Sequence, residues 1–280
     1  MMRVVVGTFL ALAASIAPAW AVDSAAPPGD LYGGWLKMYN LQFEQAHQTF
    51  DSWKENHPED PFGPASNAAA YLFSELARLG ALETELFVDD TRWITRKKLA
   101  PDPQLKLHFA QEIEQANRLA DGALQKSATD ANALFAKSLI CGLRADYAAL
   151  IDQKSLTAML YTRQGRPYAD KLLALNPGAF DAYLGPGVEN YLLSLKAAPL
   201  RLLLRLTGAR VDREKGLDQL EKTAEHGYYF EPFAKLLLAV AALRDNHRER
   251  AREILSGLHD RFPDNELYSR ELGRMNSESR

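Results

Sequence analysis

The chain has 280 residues, a formal net charge of −3, one cysteine and a hydrophobic content of 47%. A chain of this length can bury enough apolar surface to fold by packing, without disulfides. The near balance of charge excludes the basic excess that is typical of nucleic-acid binders. Helix-forming Ala, Leu, Glu, Lys, Arg and Gln dominate long stretches, while alternating Val, Ile and Thr are scarce. Composition therefore predicts an all-α protein.

Residues 1–21 have the features of a secretory signal peptide. Arg3 precedes an apolar run from Val4 to about Ala14, and Ala19-Trp20-Ala21 supplies small residues at a cleavage point. The run is short for a membrane-spanning helix, which needs roughly twenty apolar residues. We therefore expect an exported protein, periplasmic or secreted, with a flexible spacer over residues 22–29.

Helical periodicity and turn signals predict the remaining helices. In chain order they are Asp30–Tyr39, Phe43–Asn56, Ala65–Leu79, Gln104–Lys126, a helix from about Ala131 behind a Thr129-Asp130 cap, Tyr147–Arg163, Pro167–Leu175, Ala179–Lys196, Pro199–Leu206, Asp212–Glu225, Glu231–Arg244 and His247–Arg261. Irregular inserts are expected near 81–103 and 145–164. Residues 30–272 are expected to form a single helical domain, followed by a frayed tail over 273–280.

Five stretches of the chain share one spacing pattern. In the first, Ala46, Phe50 and Trp53 occupy positions i, i+4 and i+7, which lie on one stripe of a helix, and Pro58 ends that helix. The small first residue lets a neighbouring helix approach the backbone closely. The other four stretches begin at Ala116, Gly165, Gly216 and Ala251. Only the last interval is close to a repeat of about 34 residues, so an irregular array of helical hairpins is predicted.

These stretches resemble tetratricopeptide repeats, most closely over residues 31–58 and 230–263. In the second of these units, Leu238 and Ala239 match the family's first helix, and Ala251 to Pro263 match its second helix. The first unit departs from the family at Gly33-Gly34 and at Trp53. The strings YNLQFEQAHQTF, AAYLFSELARLG and DAYLGPGVENYLL also resemble a bacterial group of exported helical repeat proteins of unknown function.

The resemblance implies an irregular tetratricopeptide-like superhelix of helical hairpins, that is, an α-α solenoid. Stacked hairpins of this kind curve, and their first helices line a concave surface that usually binds peptides or other macromolecules. The expected function is therefore a non-catalytic scaffold for a peptide or protein partner, with a possible role in assembly of the cell envelope. The alternative is a small-molecule or glycan binding module with a pocket between irregular hairpins.

Asn67, Tyr71 and Glu75 are candidates for the partner-binding surface. They lie at positions i, i+4 and i+8 of a predicted first helix and so share one polar-aromatic edge. A solvated edge without a binding role is the alternative for these three residues.

The stretch GPGVENY, residues 185–191, supplies the other candidates. If Glu189 and Asn190 turn inward, they need polar partners, which a groove lined by Tyr183 and Tyr191 can offer. The alternative is a bent or delayed helix start that places Glu189 near a helix N-terminus, where negative charge is favourable.

Motifs for catalysis or cofactor binding are missing from the sequence. HExxH, paired CxxC, GxSxG, Walker-loop and EF-hand spacings do not occur. No catalytic residue, metal site or cofactor is therefore expected, and the six histidines are interpreted as solvated surface residues. The segment Pro199–Gly208 alternates arginine with leucine, and we interpret it as packed structure covered by arginine stems, with contact to a membrane surface as the alternative.

Overall fold

The computed structural model describes residues 30–80, 100–195 and 212–277. In these ranges the chain is helical and contains no strand, which confirms the all-α prediction for this part of the protein. The α-helices are α1 (Leu31–Tyr39), α2 (Phe43–Asn56), α3 (Phe62–Arg78), α4 (Pro103–Lys126), α5 (Ala131–Asp146), α6 (Ser155–Leu175), α7 (Leu184–Ser194), α8 (Arg213–His226), α9 (Glu231–Arg244), α10 (Arg248–Arg261) and α11 (Glu266–Ser277). The predicted signal peptide, the spacer 22–29, most of the insert near 81–103 and the helix Pro199–Leu206 lie outside the described residues.

Aspartate side chains begin four of these helices. The carboxylates of Asp30, Asp102, Asp130 and Asp212 accept hydrogen bonds from N–H groups in the first turns of α1, α4, α5 and α8. These N–H groups have no partner within the helix, so each cap satisfies donors that would otherwise need water. The predicted cap at Thr129-Asp130 is confirmed.

The second helices of the five hairpins, α2, α4, α6, α8 and α10, share one register. Each carries the small residue of the sequence pattern in a buried position. The C-capping residue follows that small residue by eleven positions in every case, from 46 to 57, 116 to 127, 165 to 176, 216 to 227 and 251 to 262. The pattern therefore marks equivalent positions in five hairpins.

Glycine occupies the small position where two helices approach most closely. A Cβ placed on Gly216 of α8 would lie 2.6 Å from the backbone nitrogen of Tyr191 in α7. A Cβ on Gly165 of α6 would lie 2.7 Å from Cβ of Cys141 in α5. In both hairpins the second helix therefore packs on its own first helix at a distance that excludes a side chain.

The first and last hairpins turn in the same way. Leu41 after α1 and Asn246 after α9 have φ angles of 60° and 61°. The N–H of the next residue then bonds to the carbonyl five residues earlier, at 2.9 and 2.8 Å. This left-handed ending satisfies helix carbonyls that lack a donor. The two units with the most similar sequence patterns thus also share their turn geometry.

Aromatic side chains fill the inner side of the array. Trp35 of α1 stacks on Phe62 of α3, with ring centroids 6.2 Å apart, and meets Phe230 edge-on at 5.0 Å. Phe135 of α5 lies 5.0 Å from Phe62, and all four rings pack in or against one hydrophobic cluster. A concave surface lined by first helices is expected from the sequence, whereas the described first helices bring their own side chains together there.

The two ends of the array are in contact. The hydroxyl of Tyr39 donates to the carbonyl of Tyr229 (2.9 Å), and the amide of Asn265 donates to the carbonyl of Tyr39 (2.8 Å). Asn40 also donates to the carboxylate of Asp264 (2.9 Å). In an open solenoid each repeat contacts only its neighbours. The described residues thus form an all-α array of helices packed on their neighbours, and the superhelical solenoid stays a proposal.

Helix boundaries near residue 150 differ from the prediction of helices at Tyr147–Arg163 and Pro167–Leu175. A π-helical turn (Tyr147–Ile151) follows α5, and a break with Gln153 at a φ of 55° precedes α6. Pro167 lies inside α6 and is exposed. Its ring removes one backbone hydrogen bond, and the extensive packing of α6 on α5 compensates for that loss.

Two further boundaries differ from the sequence analysis. A short 3-10 helix, Phe180–Tyr183, precedes α7, so Glu189 lies in the middle of a helix and not near its start. The last helix, α11, extends through residues 273–277, where a frayed tail is predicted, because Met275 is buried with 1% of its surface exposed.

Candidate functional site

The structure brings two of the α3 candidates, Asn67 and Tyr71, into one group of polar side chains between α2 and α4. We define the polar cluster as the side chains of His47, Asp51, Lys54, Asn67, Tyr71, His108 and Glu112. Both α2 and α4 pack on α3. The α3 residues therefore form the base of the polar cluster, and the neighbouring helices supply its sides.

Asn67 is the centre of the polar cluster and is fully buried. Its amide nitrogen donates to Asp51 of α2 (3.0 Å) and to Glu112 of α4 (2.9 Å). Its amide oxygen lies 2.6 Å from Nδ1 of His47. Since the oxygen can only accept, His47 must carry a proton on Nδ1. The amide thus fixes the orientation of three side chains from two different helices.

Lys54 joins the two carboxylates of the polar cluster. Its Nζ lies 2.8 Å from Asp51 and 2.5 Å from Glu112. Burial lowers the pKa of Lys54, but its hydrogen bonds to Asp51 and Glu112 outweigh that effect and raise the pKa above its usual value. The second carboxylate oxygen of Glu112, Oε2, is buried without a hydrogen-bond partner among the described residues. The Asp51 side chain keeps 54% of its surface exposed.

Tyr71 lies between two imidazole rings. Its ring centroid is 4.0 Å from that of His47 and 5.2 Å from that of His108, and the rings of Tyr71 and His108 are nearly parallel at 17°. Tyr71 is half-buried, whereas His108 is exposed. Burial raises the pKa of Tyr71, and the negative charges of Asp51, Glu112 and Glu44 raise it further. The phenol is therefore neutral at physiological pH and keeps its O–H donor.

Glu75, the third α3 candidate, does not belong to the polar cluster. Its carboxylate pairs with the guanidinium of Arg78 (2.6 Å) and accepts from the backbone N–H of Asp102 (2.8 Å). Only 1% of its surface is exposed. Glu75 thus ties the end of α3 to the start of α4, and its lone pairs are used within the chain.

Glu189 and Asn190 do turn inward, but toward different helices. Glu189 accepts a hydrogen bond from Arg166 of α6 (2.9 Å), and Asn190 donates to Gln219 of α8 (2.9 Å). Both residues are buried. Each side chain therefore connects α7 with one neighbour, while the amide oxygen of Asn190 is buried without a hydrogen-bond partner among the described residues.

Tyr183 and Tyr191 do not complete a shared site with these two residues. The hydroxyl of Tyr183 donates to the carbonyl of Pro177 (3.2 Å). Tyr191 is buried, and burial raises the pKa of its phenol. Arg213 lies 5.9 Å from the centre of the Tyr191 ring. Tyr183, Asn190 and Tyr191 thus each have a contact with α8, whereas Glu189 pairs with α6.

Sequence reasoning missed most members of the polar cluster. The interpretation of all histidines as solvated fails for His47, which is half-buried, bonded to Asn67 and stacked on Tyr71. The available signal was the spacing of His47 and Asp51 on α2, and of His108 and Glu112 on α4, each at i and i+4. Across the described ranges, no group of three or more His, Cys, Asp or Glu side chains is arranged to hold a metal ion.

The chain was compared with protein-family models and with curated proteins, and neither comparison found a match. Function must therefore be argued from the polar cluster and the fold.

Proposed function

We propose that the protein is a non-catalytic scaffold that binds a peptide or protein partner through the polar cluster. The observation that carries this proposal is the fixed arrangement around Asn67, which holds His47 in one orientation and joins α2 to α4. A partner pays less entropy to bind side chains that are already ordered. Tyrosine, which this base holds at position 71, is one of the residue types that dominate binding energies at interfaces.

The inner side of the array supports this choice of surface. The sequence predicts that the partner binds in a concave groove lined by first helices. Because Trp35, Phe62, Phe135 and Phe230 already contact each other on that side, we assign the partner to the outer side, between the second helices α2 and α4. We also propose that the helical hairpins form an irregular tetratricopeptide-like superhelix.

A binding role for the polar cluster is supported by the way its buried groups order its exposed ones. Asp51 and Glu112 share Lys54 and Asn67 as donors, so their charge joins α2 to α4. The alternative of a small-molecule pocket has less support, because the contacts of Glu189 and Asn190 diverge.

The proposal also includes export of the protein from the cytoplasm. Residues 1–21 carry the pattern of a signal peptide, and we propose that the mature chain acts in the periplasm or outside the cell, in assembly of the envelope. No helix in the described part of the chain is long and apolar enough to cross a membrane.

Site-directed photo-crosslinking tests the proposal. A photoreactive side chain at Gln111, exposed on α4 between His108 and Glu112, is compared with the same group at Glu253, exposed on α10. In the envelope fraction, position 111 should give a discrete protein adduct that disappears when Tyr71→Ala is added. Equal adduct patterns from positions 111 and 253, or an adduct that is indifferent to Tyr71→Ala, would contradict the proposal.

A further inference from the structure

We propose that the polar cluster recognises an arginine side chain of the partner, which stacks on the exposed His108 ring and pairs with the exposed carboxylate of Asp51. This inference rests on the proposed scaffold function and specifies the chemistry of its partner. Two independent observations carry it, namely the sign of the local charge and the geometry of the exposed His108 ring.

The charge around Tyr71 is negative overall. Glu44, Asp51 and Glu112 act on its phenol as negative charges, and Lys54 is the one opposing positive charge among these groups. Lys54 is already engaged by Asp51 and Glu112. A second cation is therefore attracted to this surface. It can reach Asp51, since 54% of that side chain is exposed, and Glu44, which is exposed on the preceding turns of α2.

The rings favour a planar cation over a compact one. Tyr71 lies between the rings of His47 and His108. Since His108 is exposed and nearly parallel to Tyr71, the outer face of His108 can accept a flat group. A guanidinium stacks on aromatic faces and forms paired hydrogen bonds with a carboxylate, whereas a lysine ammonium is a strongly hydrated point charge. The surface thus matches arginine in charge, in shape and in its hydrogen-bond donors.

A peptide titration of the full-length mature protein tests this assignment. The probe is a fluorescein-labelled peptide with three arginines separated by alanines, and its binding is measured by fluorescence anisotropy. Matched peptides carry lysine or citrulline in place of arginine. We expect the citrulline peptide to bind about tenfold more weakly and the lysine peptide about threefold more weakly, because citrulline keeps the shape but loses the charge. Equal affinity for arginine and citrulline peptides would overturn the assignment.

Protein variants locate the binding to the polar cluster. Asp51→Asn should weaken the arginine peptide about five- to tenfold, because it removes the charge of the carboxylate that pairs with the guanidinium. Glu44→Gln should weaken it about twofold, because it removes one nearby negative charge. Glu44 contributes none of the described hydrogen bonds, so its substitution leaves the fold intact. Glu114→Gln, the same charge change on the exposed side of α4, should leave affinity unchanged. A loss of affinity in Glu114→Gln as large as in Asp51→Asn would refute the location.

The outcomes separate the two proposals. A Tyr71-dependent protein adduct at position 111 together with no preference for arginine leaves the scaffold function standing and removes arginine recognition. Preferential binding of the arginine peptide without any protein adduct removes the scaffold function and leaves a cation-binding surface.

Discussion

The close approach of α7 and α8 at Gly216 gives the sharpest test of the hairpin packing. A Cβ at this position would lie 2.6 Å from the nitrogen of Tyr191 and 3.0 Å from the carbonyl oxygen of Gly187. Both contacts are to backbone, so no rotamer change can relieve them. The two helices would have to move apart by roughly 1 Å to restore ordinary van der Waals separations.

The magnitude for Gly216→Ala follows from two opposing effects. Overpacking a close contact costs about 1–3 kcal/mol, and the absence of a flexible neighbour puts this case at the upper end of that range. Alanine in a helix interior regains about 0.5–1 kcal/mol relative to glycine. The net destabilisation should be about 2 kcal/mol, which lowers Tm by about 4–8 °C in a domain of this size.

Gly257→Ala is the matched control. Gly257 lies inside α10, and a Cβ there would meet no atom within 4 Å. The same substitution should therefore raise the free energy of unfolding by about 0.5–1 kcal/mol. Thermal and urea unfolding followed by far-UV circular dichroism measure both variants. If Gly216→Ala raises Tm as Gly257→Ala does, the close-packing explanation of the small position is wrong.

Three further predictions concern buried carboxyl groups. Asp181→Ala should destabilise the protein by about 2 kcal/mol in urea unfolding, since its carboxylate accepts from three successive backbone N–H groups at the start of α9. Asp218 is exposed, so the control variant Asp218→Ala should be far less destabilised. Glu189→Ala should lower the free energy of unfolding by about 2–3 kcal/mol, because Arg166 would lose a buried partner. Surface substitutions usually change it by less than about 0.5 kcal/mol, so a loss that small would refute the role of this pair. Burial raises the pKa of Asp146 from 3.8 to about 7. The unfolded chain therefore releases this proton at a lower pH than the folded chain, so the stability that Asp146 contributes below pH 3.8 is lost as pH rises to about 7. Asp146→Asn should remove this fall in stability with pH. If the variant and the wild type show the same pH dependence of the free energy of unfolding, the assignment to Asp146 is wrong.

The hairpin units were predictable because their signal is local. The stripe that starts at Ala46 spans two turns of helix, and Pro58 marks where the helix cannot continue. The observed bounds Phe43–Asn56 and Glu231–Arg244 equal the predicted ones. A local pattern cannot show which distant elements meet. Contacts such as that between Asn40 and Asp264 join residues more than two hundred positions apart.

Only part of the candidate site could be predicted from the sequence, because residue spacing along one helix is a local signal and contacts between helices are not. Asn67, Tyr71 and Glu75 do lie on adjacent turns of α3, as their spacing requires. Their partners depend on the helices that flank each turn. Asn67 and Tyr71 meet α2 and α4, whereas Glu75 meets the N-terminal cap of α4. One stripe of a helix can thus serve two purposes, and only the packing of its neighbours decides which turn forms a surface.

Closure of the array explains why the polar cluster lies where it does. One side of a first helix packs on the second helix of its own hairpin, and another side faces the inner side of the array. Because the two ends of the described chain are in contact, aromatic rings fill that inner side. On α3, Phe62 and Phe73 face the inner rings, so the residues that remain for recognition are those directed between α2 and α4. Asn67 and Tyr71 are on that side. An open solenoid presents its first helices to a partner on the inner side. In the described part of this chain, the α3 residues lie between two second helices that a lysine and two carboxylates join.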